Sequence, residues 1–397
     1  MRAFVFLLLV FGVVGWWCGW FGSEANALAA PPAGGPDPVA AAAEAARAQP
    51  LSSMLQAAAP LAAQVPEAPA RVDVSSPAVE TLVAELGKGG AADLGQAWIV
   101  VATGTPDQKQ RVLAAMPQPG SDLGSLLAVL GPHNAFLHSA EGRELGKRAV
   151  AAAMALPDAD AVPAGSRLLE LMLRGRIQRA DETVRAFVDD AYRQHRIRVD
   201  RWLCDPANVA GARSHTVAGG ESLARIAARF RREKILVENG TLAILNRIHN
   251  ENAIQAGQKI KVPVAPLRAV LEKRSFGLSV YVGDHLLRLY WVGHGENDRT
   301  PLAEFTVGVK QPRPDWTSPD GQVYAYGHPK NILGEYFIKF VHDTYVGFGA
   351  HGTPLPDTIC TMSSMGCLRM QAPDIAEMFR LLPTGARVAV KATESLP

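Results

Sequence analysis

Two short β-prone runs constrain the fold most. Leu278-Ser279-Val280-Tyr281-Val282 and Leu286-Leu287-Arg288-Leu289-Tyr290-Trp291-Val292 flank Gly283-Asp284-His285, a hairpin signal. Phe305 to Val309, Tyr336 to Phe340 and Tyr345 to Gly349 extend the strand-rich pattern. One short helix is expected over Pro373 to Leu382, and Gly385 to Lys391 closes as a strand. Many strands and one clear helix predict a mainly-β domain over residues 267–393, a sandwich or a partly closed barrel.

Residues 351–369 hold the groups able to do chemistry together. Cys367 can act as a nucleophile and His351 can take its proton. A neighbouring imidazole is expected to lower the thiol pKa and yield a thiolate. Gly366 before Cys367 allows a tight turn, so the Gly366 and Cys367 amides could hold an oxyanion. Arg369 could bind a substrate carboxylate or fix the loop. The Cys and His spacings suggest no metal site. No cofactor is called for.

His351-Gly352-Thr353, a loop, then Ser364-Met365-Gly366-Cys367-Leu368-Arg369-Met370 resembles the L,D-transpeptidase (YkuD-type) family. The separation of 367 − 351 = 16 positions and the order, His before Cys, agree with it. Papain-like peptidases place Cys first. Arg299 to Phe305 resembles the family's Thr-Pro-x-Gly-x-Phe segment, with Ala303 for Gly. His328 to Gly334 resembles its Asn-Pro-Leu-Gly loop, with Ile332 for Pro. Cys360 stands where the family has a Gly, and could be buried, pair with Cys204 or resolve an oxidised Cys367. The resemblance implies a β-rich sandwich carrying Cys367 as nucleophile and His351 as base. Arg369, Ser364, Gly352 and Tyr336 are the candidate substrate-binding residues. Ser364 or Gly349 could also orient His351, and Tyr336 and Phe348 could instead be core.

A second unit spans residues 213–264. His215-Thr216-Val217 reads as a strand, a Gly-Gly turn follows, and Leu223, Ile226, Ala227 and Phe230 mark the buried face of a helix capped by Ser222 or Glu221. A second helix carries Leu245-Asn246. Ile260 and Val262 alternate with Lys259 and Lys261, as in a half-exposed strand. This βααβ unit resembles the LysM family, whose members bind N-acetylglucosamine-containing glycans. Arg231-Arg232-Glu233-Lys234 departs from it by making the middle more charged. The unit is either a glycan-binding module or a spacer of the same fold.

A chain of 397 residues holds two or three domains, and a net charge of +2 gives no argument for nucleic acid. Four Cys make no disulfide scaffold. Residues 1–21 read as an export segment: Arg2, an apolar run from Ala3 to Val14, then Trp16, Trp17 and Trp20. Ala25-Asn26-Ala27 would suit cleavage, whereas the run with its Trp cluster would suit an inner-membrane anchor. Either way the rest is expected in the periplasm or cell envelope. Residues 22–75 are an Ala/Pro-rich linker. Residues 76–205 read as helical, with Val79, Leu82, Val83 and Leu86 at helical spacing. No motif of chemistry occurs there, and His133, His138 and His195 suit surface or capping roles. A docking or spacer role is the expectation.

The organisation is thus multidomain: a helical region, a small LysM-like module and a mainly-β catalytic domain. Its implied partners are peptidoglycan stem peptides and glycan. The expected function is a peptidoglycan L,D-transpeptidase working through a cysteine thioester. The alternatives are an L,D-carboxypeptidase, a wall-protein attachment enzyme with the same Cys/His site, or an inactive peptidoglycan-binding scaffold.

Overall fold

The structure, a computed structural model, describes residues 75–86, 94–115, 123 and 137–393. The expected export segment, and all but the last residue of the linker, lie outside the described residues. Among the described residues no helix is long and apolar enough to cross a membrane.

The helical region contains α1 (Ser76–Leu86), α2 (Leu94–Thr103), α3 (Pro106–Ala115), α4 (Ala140–Ala155), α5 (Asp158–Leu173) and α6 (Glu182–Arg198). One π turn, Val199–Leu203, follows α6. Val79, Leu82 and Leu86 are buried, as are Leu168, Leu169, Met172, Val184, Phe187 and Val188, so the helical spacing marks true core faces.

The small module follows as β1 (Ala212–Thr216), α7 (Leu223–Arg232), α8 (Asn239–Leu245) and β2 (Lys259–Pro263), with β1 and β2 antiparallel. Ser222 Oγ accepts from Arg225 N and caps α7. Glu221 instead accepts from Ala218 N and His215 Nε2. Lys261 departs from the half-exposed expectation. It is buried, and its Nζ donates to the carbonyls of Leu203 and Asp205. The reason is that the outer face of β2 lies against the chain leaving the helical region.

The remaining strands are β3 (Leu267–Glu272), β4 (Gly277–Val282), β5 (His285–Trp291), β6 (His294–Gly295), β7 (Glu304–Pro312), β8 (Trp316–Thr317), β9 (Val323–Tyr324), β10 (Tyr336–Val341), β11 (Gly349–Gly352), β12 (Met362–Ser364), β13 (Leu368–Met370) and β14 (Arg387–Lys391). Helix α9 (Ala372–Leu381) lies between the last two. Eight strands form one mixed sheet in the order β13-β11-β10-β7-β14-β3-β4-β5. β12 pairs with β6 and β8 with β9. The domain is mainly β as expected. A second full sheet is not present among the described residues. Helices take that place.

One sheet face packs on α9, with Ile338, Phe340, Ala350, Leu368, Ile375 and Met378 in one core. The helical region packs on β5 and its neighbours, where Val270, Tyr281, Leu286 and Leu289 share a core with Leu168, Leu169 and Phe187. The edge strand β5 is covered rather than free. Leu286 N–H donates to Ser166 Oγ at 2.9 Å, and His195 Nε2–H donates to Leu286 O at 2.8 Å. His195 is therefore neither surface nor cap, contrary to expectation: it is 1% exposed. Covering an edge this way satisfies backbone groups that would otherwise invite strand pairing. Arg288 on β5 ties the layers, reaching Glu377 of α9 at 2.8 Å and Asp200 of the π turn at 3.3 Å.

The small module docks on the sheet domain through α8. Thr241 Oγ1 donates to Leu381 O at 2.9 Å, and a Cβ on Gly240 would lie 2.4 Å from Arg380 O, so only glycine permits the approach. Glu238 accepts from Lys310 Nζ and, at 2.9 Å, from Thr384 N.

Candidate active site

Register places the site. β11 and β13 run parallel, with Ala350 beside Leu368 and His351 beside Arg369. Side chains alternate across a sheet, so His351 and Arg369 share one face, and Cys367 lies in the bend that leads directly into β13. Phe337 pairs with His351 from β10 and shares that face. The opposite face carries Ala350, Leu368 and Met370 into the core under α9.

His351 is buried, and its Nδ1–H donates to Gly352 O at 2.6 Å. That bond fixes the tautomer and leaves Nε2 as the basic nitrogen. The orienting carbonyl is thus Gly352's, not that of Gly349 or the hydroxyl of Ser364. Burial holds the imidazole pKa down to about 4, with Gly352 O opposing and Arg369 assisting.

The Cys367 thiol is half-buried and lies 3.5 Å from Gly347 O, to which it donates. Burial pushes its pKa up to about 11, opposed by the Gly349 backbone and the Arg369 charge. Both shifts favour the neutral imidazole and the neutral thiol over the thiolate expected from the sequence, because desolvation outweighs the Arg369 charge.

The turn before the thiol is pinned at several points. Gly366 has φ +139°, and a Cβ there would lie 2.6 Å from Phe348 Cε1. Ser364 Oγ donates to Cys367 O at 2.7 Å and accepts from Gly366 N at 3.1 Å. Two sequence expectations change as a result. Ser364 is spent on its own loop rather than facing a substrate, and the Gly366 amide already has an acceptor. Thr300 Oγ1 donates to Gly366 O and accepts from Gly295 N, both at 2.8 Å. Thr300 thereby holds the thiol turn, a role that the Thr-Pro motif could have signalled and that sequence reasoning missed. Asn331 holds the neighbouring loop by donating to Pro314 O at 2.9 Å and Tyr324 O at 3.0 Å. Gly334 then packs against Gly352.

Arg369 is half-buried. Its Nη1 donates to Ser363 Oγ at 3.2 Å, and it has no carboxylate partner among the described residues. Tyr336 departs from the expected substrate position. It neighbours Phe337 along β10 and so projects to the other face, where its ring lies 4.7 Å from that of Phe379 on α9. Phe348 packs in an aromatic group with Phe305 at 5.9 Å and Tyr345 at 6.3 Å. Met365 and Val346, 54% and 81% exposed, flank the thiol turn and the loop that carries Gly347.

Cys360 is buried and free, as is Cys204. Its φ of +56° explains why glycine suits that position. Its amide donates to Val292 O at 3.1 Å. No group of His, Cys, Asp and Glu suited to a metal ion occurs among the described residues.

Residues 268–390 match the family model of the L,D-transpeptidase catalytic domain, and residues 215–263 match that of the LysM domain. YkuD of Bacillus licheniformis is 30% identical over 185 residues, covering 44% of this chain and 97% of the relative. YqjB of Bacillus subtilis is 31% identical over 124 residues, covering 30% of this chain and 69% of the relative. An L,D-transpeptidase from Mycobacterium smegmatis shares 18% identity with a TM-score of 0.28, over 34% of this chain and 64%, just under two thirds, of that structure. The chain belongs to the L,D-transpeptidase (YkuD) family and carries a LysM domain ahead of its catalytic domain.

Proposed function

We propose that the protein is a peptidoglycan L,D-transpeptidase of the cell envelope, with catalysis in residues 267–393 and glycan binding in residues 213–264. The observation that carries this reading is His351 and Arg369 on one sheet face, with Cys367 in the bend immediately before β13 and His351 Nδ1 committed to Gly352 O. Cys367 Sγ attacks the carbonyl carbon between the third and fourth residues of a donor stem while His351 Nε2 takes the thiol proton. The Cys367 amide holds the oxyanion, since the Gly366 amide is bonded to Ser364. The C–N bond breaks, His351 returns the proton to the departing D-Ala amine, and a thioester remains. A second stem's side-chain amine then attacks the thioester, forming the cross-linking amide and restoring the thiol. Arg369, lacking a carboxylate partner among the described residues, takes a donor carboxylate.

The test is incubation with a synthetic tetrapeptide stem and an amine acceptor stem, read by product mass. The expected result is a dimer bearing a new third-to-third-residue amide, with D-Ala released. Release of D-Ala with tripeptide as the sole product would make water the acceptor and the enzyme a carboxypeptidase. No product from well-folded, reduced protein would contradict the reading.

A further inference from the structure

The LysM helix α7 carries an unusual load of positive charge. Over residues 212–263 nine Lys or Arg face four Asp or Glu, a net 9 − 4 = +5, while the whole chain is only +2. The rest of the chain is thus 2 − 5 = −3. Leu223, Ile226, Ala227 and Phe230 fill the module core. Arg225, Arg229 and Arg232 stand at i, i+4 and i+7 on the opposite, exposed side. At 1.5 Å rise per residue they form a stripe about 10 Å long. Arg231 and Lys234 widen it.

Local structure does not account for the stripe. A helix C-terminus favours cations, which suits Arg232. Arg225 sits in the first turn, where the helix dipole opposes it. Arg225 with Arg229 and Arg229 with Arg232 are like-charge pairs at destabilising spacings. Two carboxylates lie near them among the described residues: Glu233, 3.9 Å from Arg229 and bonded to Arg213, and Glu221, which is bonded to His215 and Ala218 N and feels the Arg229 charge. Arg225, Arg231, Arg232 and Lys234 have no carboxylate partner among the described residues. The stripe lowers helix stability and stays exposed, mostly without counter-charge among the described residues.

We propose that the α7 stripe docks on an anionic phospholipid surface. A flat array of head groups complements several cations reachable from one side, and guanidinium groups bind phosphates bidentately. In the anchor reading of residues 1–21, the tether would bring a weak second contact to high effective concentration. The apolar face of α7 is buried in the module, so docking is electrostatic, peripheral and salt-sensitive. Because the module is docked on the sheet domain through α8, the contact would set how the cleft faces the membrane. The inference is independent of the chemistry at Cys367.

The test uses residues 75–397, which begin at the first described residue and so lack the apolar run. Protein is pelleted with vesicles of phosphatidylcholine alone or with about one third phosphatidylglycerol. The expected result is binding to the anionic vesicles alone, lost at high salt. The triple variant R225Q/R229Q/R232Q should bind about 100-fold more weakly, roughly fivefold per cation, while its near-ultraviolet circular dichroism stays that of the parent. A parent that stays in the supernatant, or a folded triple variant that pellets equally, overturns the proposal. Retention on immobilised polyphosphate without pelleting on vesicles assigns the stripe to a soluble polyanion and also overturns it.

Discussion

At the scale of single residues, burial and hydrogen bonding set the chemistry more than residue type does. His351 at about 4 and Cys367 at about 11 leave the neutral pair dominant across the physiological range. In the proposed mechanism, proton transfer then accompanies attack rather than preceding it. Acylation of Cys367 should therefore be independent of pH from about 5.5 to 9 and fall below about 5, as His351 protonates and Nε2 is lost as a base. A stopped-flow or mass-spectrometric acylation profile checks this, and an acid limb centred near 6.5 would contradict it. The residues of the motif were legible because nucleophile, base and glycine stand in one short stretch. Their settings were not. Ser364 and Gly366 bond to each other, and Tyr336 points to the far face, because strand alternation and turn geometry decide these things. Thr300 lies 66 positions from the carbonyl it holds, a contact that exists only in the fold.

At the scale of elements, the helices supply what the strands lack. Ser166 and His195 satisfy both backbone groups of Leu286 on the edge strand. Burial holds His195 down to about 4, against the ordinary value of 6.5. Between those values the unfolded chain binds the proton and the native chain does not, so stability is complete above pH 6.5 and is lost as pH falls towards 4. At pH 4.5 the loss from His195 amounts to about 2.5 kcal/mol. In H195Q that share disappears, so urea unfolding at pH 7 and pH 4.5 should differ less in the variant than in the parent by about this amount. Equal differences would show that His195 titrates freely. The helical periodicity of α5 and α6 was readable, since Leu168, Leu169, Phe187 and Val188 recur as a stripe. What that stripe packs on was not, because an amphipathic pattern names a face and not its partner. Lys261 shows the same limit: strand alternation marked it as outward, and outward proved to be towards another part of the chain.

At the scale of the whole molecule, the sheet is completed by its neighbours. The helical region shares a core with β3, β4, β5 and β14, and the LysM module meets α9 and Lys310. The expected spacer is thus part of the body that holds the site, which is why the order of segments was legible and their docking was not. Isolated residues 267–393 would expose Leu286, Leu289 and Tyr281, so the chemistry is to be measured on residues 75–397, which keep the helical region. The most direct measurement is the intact mass of that protein, reduced, after incubation with the carbapenem imipenem, beside C367A. The account predicts one adduct of the drug's mass on the parent and none on C367A. An unmodified, well-folded parent, or an adduct that persists in C367A, would contradict an acyl-accepting Cys367.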